Sequence, residues 1–123
     1  MLFTSDIESD AEEFLLDSNI QATVLKSPHH GSKTSSTADF IVNVQPQFVF
    51  ISAGLNNKFG HPHKKTLRTY RENFILPENI LCTAFNGNIR LETDGFNKII
   101  TADNDLNWCD DYLGEFISVI RLD

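Results

Sequence analysis

Apolar residues fall along the chain in short runs, separated by clusters of Gly, Pro, Ser, Asn and Asp. Met1-Leu2-Phe3-Thr4 opens as a short strand that ends at Ser5-Asp6. Ser9-Asp10-Ala11-Glu12 has capping-box spacing, with Ser9 as the cap and Glu12 reaching back to it. It predicts a helix over about 10–17 with Phe14 and Leu15 facing the core. Residues 22–26 predict a second strand. Ser36 then caps a predicted helix over 37–44, with Phe40, Ile41 and Val44 apolar, stopped by Gln45-Pro46. Phe48-Val49-Phe50-Ile51 is continuously apolar, the pattern of a strand covered on both faces. Pro62 suits the first turn of a third helix running to about Asn73, and 80–83 predicts a fourth strand. Asn86-Gly87 and Asp94-Gly95 are hairpin signals, so 88–101 reads as an antiparallel hairpin. Phe116–Leu122 predicts one more strand. The order β-α-β-α-β-α-β followed by a β-hairpin is an α/β layer with a β extension.

Three strand ends carry ionisable residues: Asp6, then His29 and His30, then His61 and His63. A parallel sheet brings such ends to one edge. Carboxylate with imidazole is a ligand set for zinc, manganese or iron. Each residue also has a bland reading: Asp6 as a turn or cap, the histidine pair as chance members of a polar loop, His63 as an exposed helix residue. If His61 caps the third helix, that helix's free amides face the site and favour anions there. Ser32, Lys33 and Asn57 suit hydrogen bonding to phosphate oxygens, Lys33 as a point charge. Gly31 and Gly60 permit tight turns beside them.

The chain has 123 residues, 41% of them hydrophobic, which is one domain with an ordinary core. Net charge is −7, against a chain-wide nucleic-acid surface. Its distribution changes that picture. Residues 26–71 hold seven cations against Asp39 alone, a net of +6, and the remainder carries −13. Positive charge is thus confined to the segment with both histidine motifs, which suits an anionic substrate at one edge of an acidic protein. Cys82 and Cys109 make no disulfide framework and read as reduced, buried thiols. No apolar run approaches the roughly 20 residues of a spanning helix, and no signal peptide is evident. The expectation is a soluble, cytoplasmic chain without a transmembrane segment.

Leu2-Phe3-Thr4-Ser5-Asp6-Ile7-Glu8, Val24-Leu25-Lys26-Ser27-Pro28-His29-His30-Gly31-Ser32 and Ile51-Ser52-Ala53-Gly54-Leu55-Asn56-Asn57-Lys58-Phe59-Gly60-His61-Pro62 come in an order that resembles one family. It is the metallo-β-lactamase-fold domain of the bacterial ComEC type, found in DNA-uptake competence proteins. Asn86-Gly87-Asn88-Ile89-Arg90-Leu91-Glu92-Thr93-Asp94-Gly95 resembles its closing hairpin. The resemblance covers residues 1–95 and implies the C-terminal half of an αββα domain over 1–101, with 102–123 as an acidic extension. It implies a metal-dependent hydrolase acting on a phosphodiester, a nucleic acid or nucleotide, through a two-metal zinc or manganese centre. By this resemblance Asp6 bridges metals and His30, or else His61, ligates. His29 takes an orienting or substrate-facing role in catalysis beside Asp6 and His30, while Ser32, Lys33, Asn57 and His63 contact substrate. Two departures stand out. The family's His-x-His-x-Asp-His signature is absent from the chain, and Ser5 stands where glycine usually precedes the aspartate. The expected partners are therefore DNA or another phosphodiester, together with a missing N-terminal half or a second copy. The competing expectation is a catalytically inactive, truncated domain that serves as a binding or assembly module.

Overall fold

The apolar run Phe48–Ile51 is the middle strand of a three-stranded parallel sheet in the computed structural model, which describes residues 1–113. Strands β1 (Val24–Lys26), β2 (Phe48–Ile51) and β3 (Ile80–Cys82) lie in that order, with Leu25 opposite Val49 and Ile51 opposite Cys82. Side chains alternate between sheet faces. Leu25, Val49, Ile51, Ile80 and Cys82 share one face and are buried in the main core. Helices α2 (Ala38–Val44) and α3 (Lys64–Glu72) supply Phe40, Ile41, Val44, Leu67 and Tyr70 to the same core. Helix α1 is Ser9–Leu15, and α4 is a single turn, Thr83–Asn86. A separate antiparallel hairpin, β4 (Ile89–Thr93) with β5 (Lys98–Ala102), follows, then α5 (Trp108–Tyr112). The fold is mixed α/β: a parallel three-stranded sheet plus a small antiparallel one. Among the described residues no helix is long and apolar enough to cross a membrane.

Several local expectations are corrected. The opening strand shrinks to one bridging residue: Leu2 donates to the Val24 carbonyl (2.9 Å) and accepts from Lys26 N–H (3.0 Å). Ser5 then turns the chain away at φ 55°. Helix α1 begins at Ser9, with Glu8 at its N-cap and no side-chain cap. The Glu12 carboxylate is instead fully buried and accepts from the N–H groups of Ser36 (2.5 Å) and Thr37 (2.8 Å). A capping box offers Glu12 a single amide, whereas the start of α2 offers two in a dry environment, so the tertiary partner wins. Phe14 is exposed rather than buried. Thr37, not Ser36, caps α2 by accepting from Phe40 N–H, while the Ser36 hydroxyl meets that of Tyr70 (2.8 Å).

Pro62 follows a cis peptide bond and precedes the helix, which starts at Lys64 with His63 as N-cap. Asn86-Gly87 is no hairpin turn. Asn86 ends α4 fully buried, and its Oδ1 accepts from Cys82 N–H (2.9 Å) and from the indole N–H of Trp108 (2.8 Å). Its amide donates to the carbonyls of Asn104 and Leu106. Those bonds fasten residues beyond the hairpin to the sheet, and Trp108, Cys109 and Leu113 enter the main core. Arg71 closes the contact with Asp110 at 2.6 Å. The described part of the acidic extension is thus packed structure. The expected strand at Phe116–Leu122 lies outside the described residues. Both cysteines are free and buried.

Candidate functional site

All three β-strands of the parallel sheet point their C-terminal ends toward one edge, and the loops there carry the histidine motifs. Ser27-Pro28-His29-His30-Gly31 turns sharply after β1, with both histidines left-handed at φ 50° and 58°. Two consecutive non-glycine residues in that region cost on the order of 1–2 kcal/mol each. Such strain persists only where surrounding bonds hold it, and it concentrates at functional sites. The holding bonds are visible. His29 N–H donates to the Ser5 carbonyl (3.0 Å), His63 N–H to the Gly31 carbonyl (2.9 Å), and Lys33 N–H to Nδ1 of His63 (2.8 Å). At Gly31 (φ 81°) an added Cβ would sit 2.7 Å from Pro62 Cβ, so the two histidine loops meet there with no room to spare.

A cleft of about 360 Å³ results, lined by Asp6, His29, His30, Ala53, Gly54, Asn57, Phe59 and His61. Ring centroids of His29, His30 and His61 form a triangle with sides of 5.9, 6.3 and 6.4 Å. His30 Nδ1 lies 2.8 Å from the Ser52 carbonyl and must donate to it, since a carbonyl only accepts. In the neutral ring, Nε2 then carries the lone pair, 3.5 Å from Oδ1 of Asp6. Two exposed acceptors facing each other at that distance can share a water, a proton or a metal ion. Ligands on a tetrahedral zinc with bonds near 2.05 Å sit about 3.3 Å apart, and a carbonyl behind the imidazole is the usual outer support of a metal ligand.

His61 is pushed below its ordinary pKa, first by burial and then by its neighbours His63, His29 and His30, with Asp6 pulling the other way. That favours the neutral, ligating form. Lys26 is lowered by burial, opposed chiefly by the Asp6 carboxylate, so a half-buried ammonium belongs to the same charge cluster. His29 Nδ1 is buried with no hydrogen-bond partner, and Oε1 of Glu8 is 3.9 Å away. The donor chemistry therefore fits a divalent metal, but the donor number does not. Among the described residues no three His, Cys, Asp or Glu side chains converge as a metal-holding group.

The structure thus brings together Asp6, His29, His30 and His61, as the strand-end argument expects. Asn57 lines the cleft but is spent on its own loop. Its amide donates to the Gly54 and His61 carbonyls, and its Oδ1 accepts from Phe59 and His61 N–H. His63 stands outside the cleft as a neutral brace, Nδ1 accepting from Lys33 N–H and Nε2 donating to the Phe59 carbonyl (2.9 Å). Ser32 is buried and meets Thr34, while Lys33 lines a second hollow with Lys65, Ser35 and Thr69. The sequence reading missed Phe59, Glu8 and the Ser52 carbonyl. An aromatic residue between Lys58 and Gly60 in a polar loop was the only available signal for the first.

ComE operon protein 3 of Bacillus subtilis (strain 168) is 41% identical over 91 residues, covering 72% of this chain and 11% of that protein. Competence protein ComA of Neisseria gonorrhoeae is 37% identical over 65 residues, 50% of this chain and 9% of that protein. Recombination protein 2 of Haemophilus influenzae is 31% identical over 91 residues, 74% and 11% respectively. These homologues indicate a competence-related family. The chain spans about a tenth of the length of these curated relatives. No family model matches the chain, and no solved structure matches it.

Proposed function

We propose that the chain is part of a metallo-β-lactamase-fold, metal-dependent phosphodiesterase of the DNA-uptake type, with nucleic acid or nucleotide as substrate. The observation that carries this reading is the pairing of Asp6 Oδ1 with the lone-pair nitrogen of His30 at 3.5 Å, backed by the Ser52 carbonyl. Asp6, His30 and His61 would hold zinc or manganese, and ligands from a further segment would complete a two-metal set. Metal bound there would activate a water and stabilise the oxygens of an in-line displacement. The chain's own residues prepare the cleft for that work. Ser52 fixes the His30 tautomer, His29 faces the substrate side, and Ala53, Gly54 and Phe59 give an apolar wall. Lys26, Lys33, Lys58, Lys64 and Lys65 lie in the chain segment that carries both histidine motifs, and its net positive charge suits a phosphate-bearing ligand.

A second reading has its own observation. With no three ligands converging among the described residues, the domain serves as a binding or assembly module without turnover. Metal content tests the first reading. The purified chain is loaded with zinc or manganese, desalted and measured by elemental mass spectrometry, beside His30→Ala and Asp6→Asn. Near-stoichiometric metal that both variants lose supports the metal centre, and hydrolysis of a chromogenic phosphodiester should then appear. Negligible metal in the parent chain rules out turnover by this chain alone and leaves either a half-site that needs the further segment's ligands or the module. Metal that survives His30→Ala removes His30 from the ligand set.

A further inference from the structure

The loop between β2 and α3 holds an aromatic ring that contributes nothing to the core. Phe59 lines the cleft yet is 61% exposed, so burial does not explain a phenyl group there. The backbone that carries it is nonetheless held on both sides. Its N–H donates to Oδ1 of Asn57 (3.1 Å), and its carbonyl accepts from Nε2–H of His63 (2.9 Å). The same Asn57 carboxamide ties down Gly54 and His61 on either side. The ring lies nearly parallel to the His61 imidazole, with centroids 5.6 Å apart and planes 22° from each other. The Lys58 ammonium stands 5.1 Å from the ring centroid. No carboxylate pairs with it among the described residues. An exposed aromatic on a braced loop, next to a cation with no carboxylate partner, is how proteins hold unpaired nucleotides: the base stacks on the ring and the cation takes the phosphate.

We propose that Phe59 is a stacking platform for a nucleobase at the mouth of the cleft. The cleft then takes an unpaired, base-bearing nucleotide in preference to a phosphodiester that lacks a base. This rests on the cleft being the phosphodiester site, and it assigns the part of the ligand that Phe59 recognises. On binding, Lys58 turns from the ring to the phosphate, a short swing for its four-carbon stem. His61, stacked behind Phe59, couples the base platform to the ring cluster where the phosphate would sit.

The probe pair is deoxyadenosine 5′-monophosphate and deoxyribose 5-phosphate, which carry the same phosphate with and without a base. Both are titrated at low salt, with chelator present, into isotope-labelled chain followed by NMR. The nucleotide should shift the Phe59 ring protons and the amides of residues 57–61, and bind about tenfold more tightly than the sugar phosphate. Phe59→Trp should keep that preference and Phe59→Leu should abolish it. Because the side chain is exposed, neither change endangers folding. Equal affinity for the two probes overturns the proposal, as does a preference that survives Phe59→Leu, or no nucleotide shift at millimolar concentration. Because chelator is present throughout, failure of the metal centre leaves this measurement standing. Metal binding without a base preference would refute the platform alone.

Discussion

Ser5 holds φ 55° directly before Asp6, in the left-handed region where a side chain is strained. Glycine at that position removes the clash, so Ser5→Gly should raise stability by about 1 kcal/mol, read as a higher urea midpoint with unchanged slope. Gly31→Ala tests the opposite case. With φ at 81° and Pro62 Cβ 2.7 Å from the new methyl, it should cost about 2–3 kcal/mol and pull the two histidine loops apart. A loss under 0.5 kcal/mol would show that Pro62 moves freely. At this scale, the gathering of Asp6, His29, His30 and His61 in one cleft was legible because strand ends bring such groups together. The roles of His63 and Asn57 were not. Their polar atoms go to backbone groups whose positions depend on how the loops cross.

Glu12 is the clearest case at the scale of the element. A buried carboxylate from α1 closes the first turn of α2, 24 and 25 residues away. Glu12→Gln substitutes one acceptor oxygen and a misdirected donor, and should destabilise the chain by about 2 kcal/mol. Loss of amide protection at Ser36–Phe40 by hydrogen exchange should accompany it, and uniform loss across the chain would count against a local cap. The boundaries of α2 and β2 were readable from Pro46 and from an unbroken apolar run. The start of α1 was misread because Ser9 and Glu12 have the spacing of a local cap while Glu12 has a better partner elsewhere. Asn86-Gly87 failed for the same physical reason. Asn86 turns inward to serve Cys82, Trp108, Asn104 and Leu106, so it cannot be a surface turn residue.

Across the whole molecule, two buried acids link stability to alkaline pH. Burial pushes the Tyr70 phenol up to about 12 from an ordinary 10.0, although hydrogen bonds from Ser27 and Ser36 oppose the rise. Burial also pushes the Cys109 thiol to about 12 from 9.0, with Arg71 opposing. Both keep their protons in the folded state at pH values where the unfolded chain releases them. Their contribution is therefore complete below pH 9 and is lost as pH rises from about 9 toward 12. The denaturation midpoint should stay level from pH 7 to about 8.5 and fall steadily beyond. Tyr70→Phe should lower stability at neutral pH by about 1–2 kcal/mol, because two buried serine hydroxyls lose a partner. It should also flatten the part of the fall above pH 10. A midpoint level to pH 11 would refute this linkage.

The amino-acid sequence by itself determined the alternation of strands and helices, the Asp94-Gly95 hairpin and the residue types at the strand ends. Periodicity, turn chemistry and strand-end position are local properties, so they survive being read one segment at a time. Tertiary structure alone decided which polar groups face the cleft and which brace it, and that residues 104–113 fasten onto Asn86 and Arg71. It also decided that Phe59 stands exposed beside His61 on a hydrogen-bonded loop. Those outcomes depend on which loops cross at the sheet edge and which buried amides reach a carboxylate first. No spacing along the chain encodes the distances that set that competition.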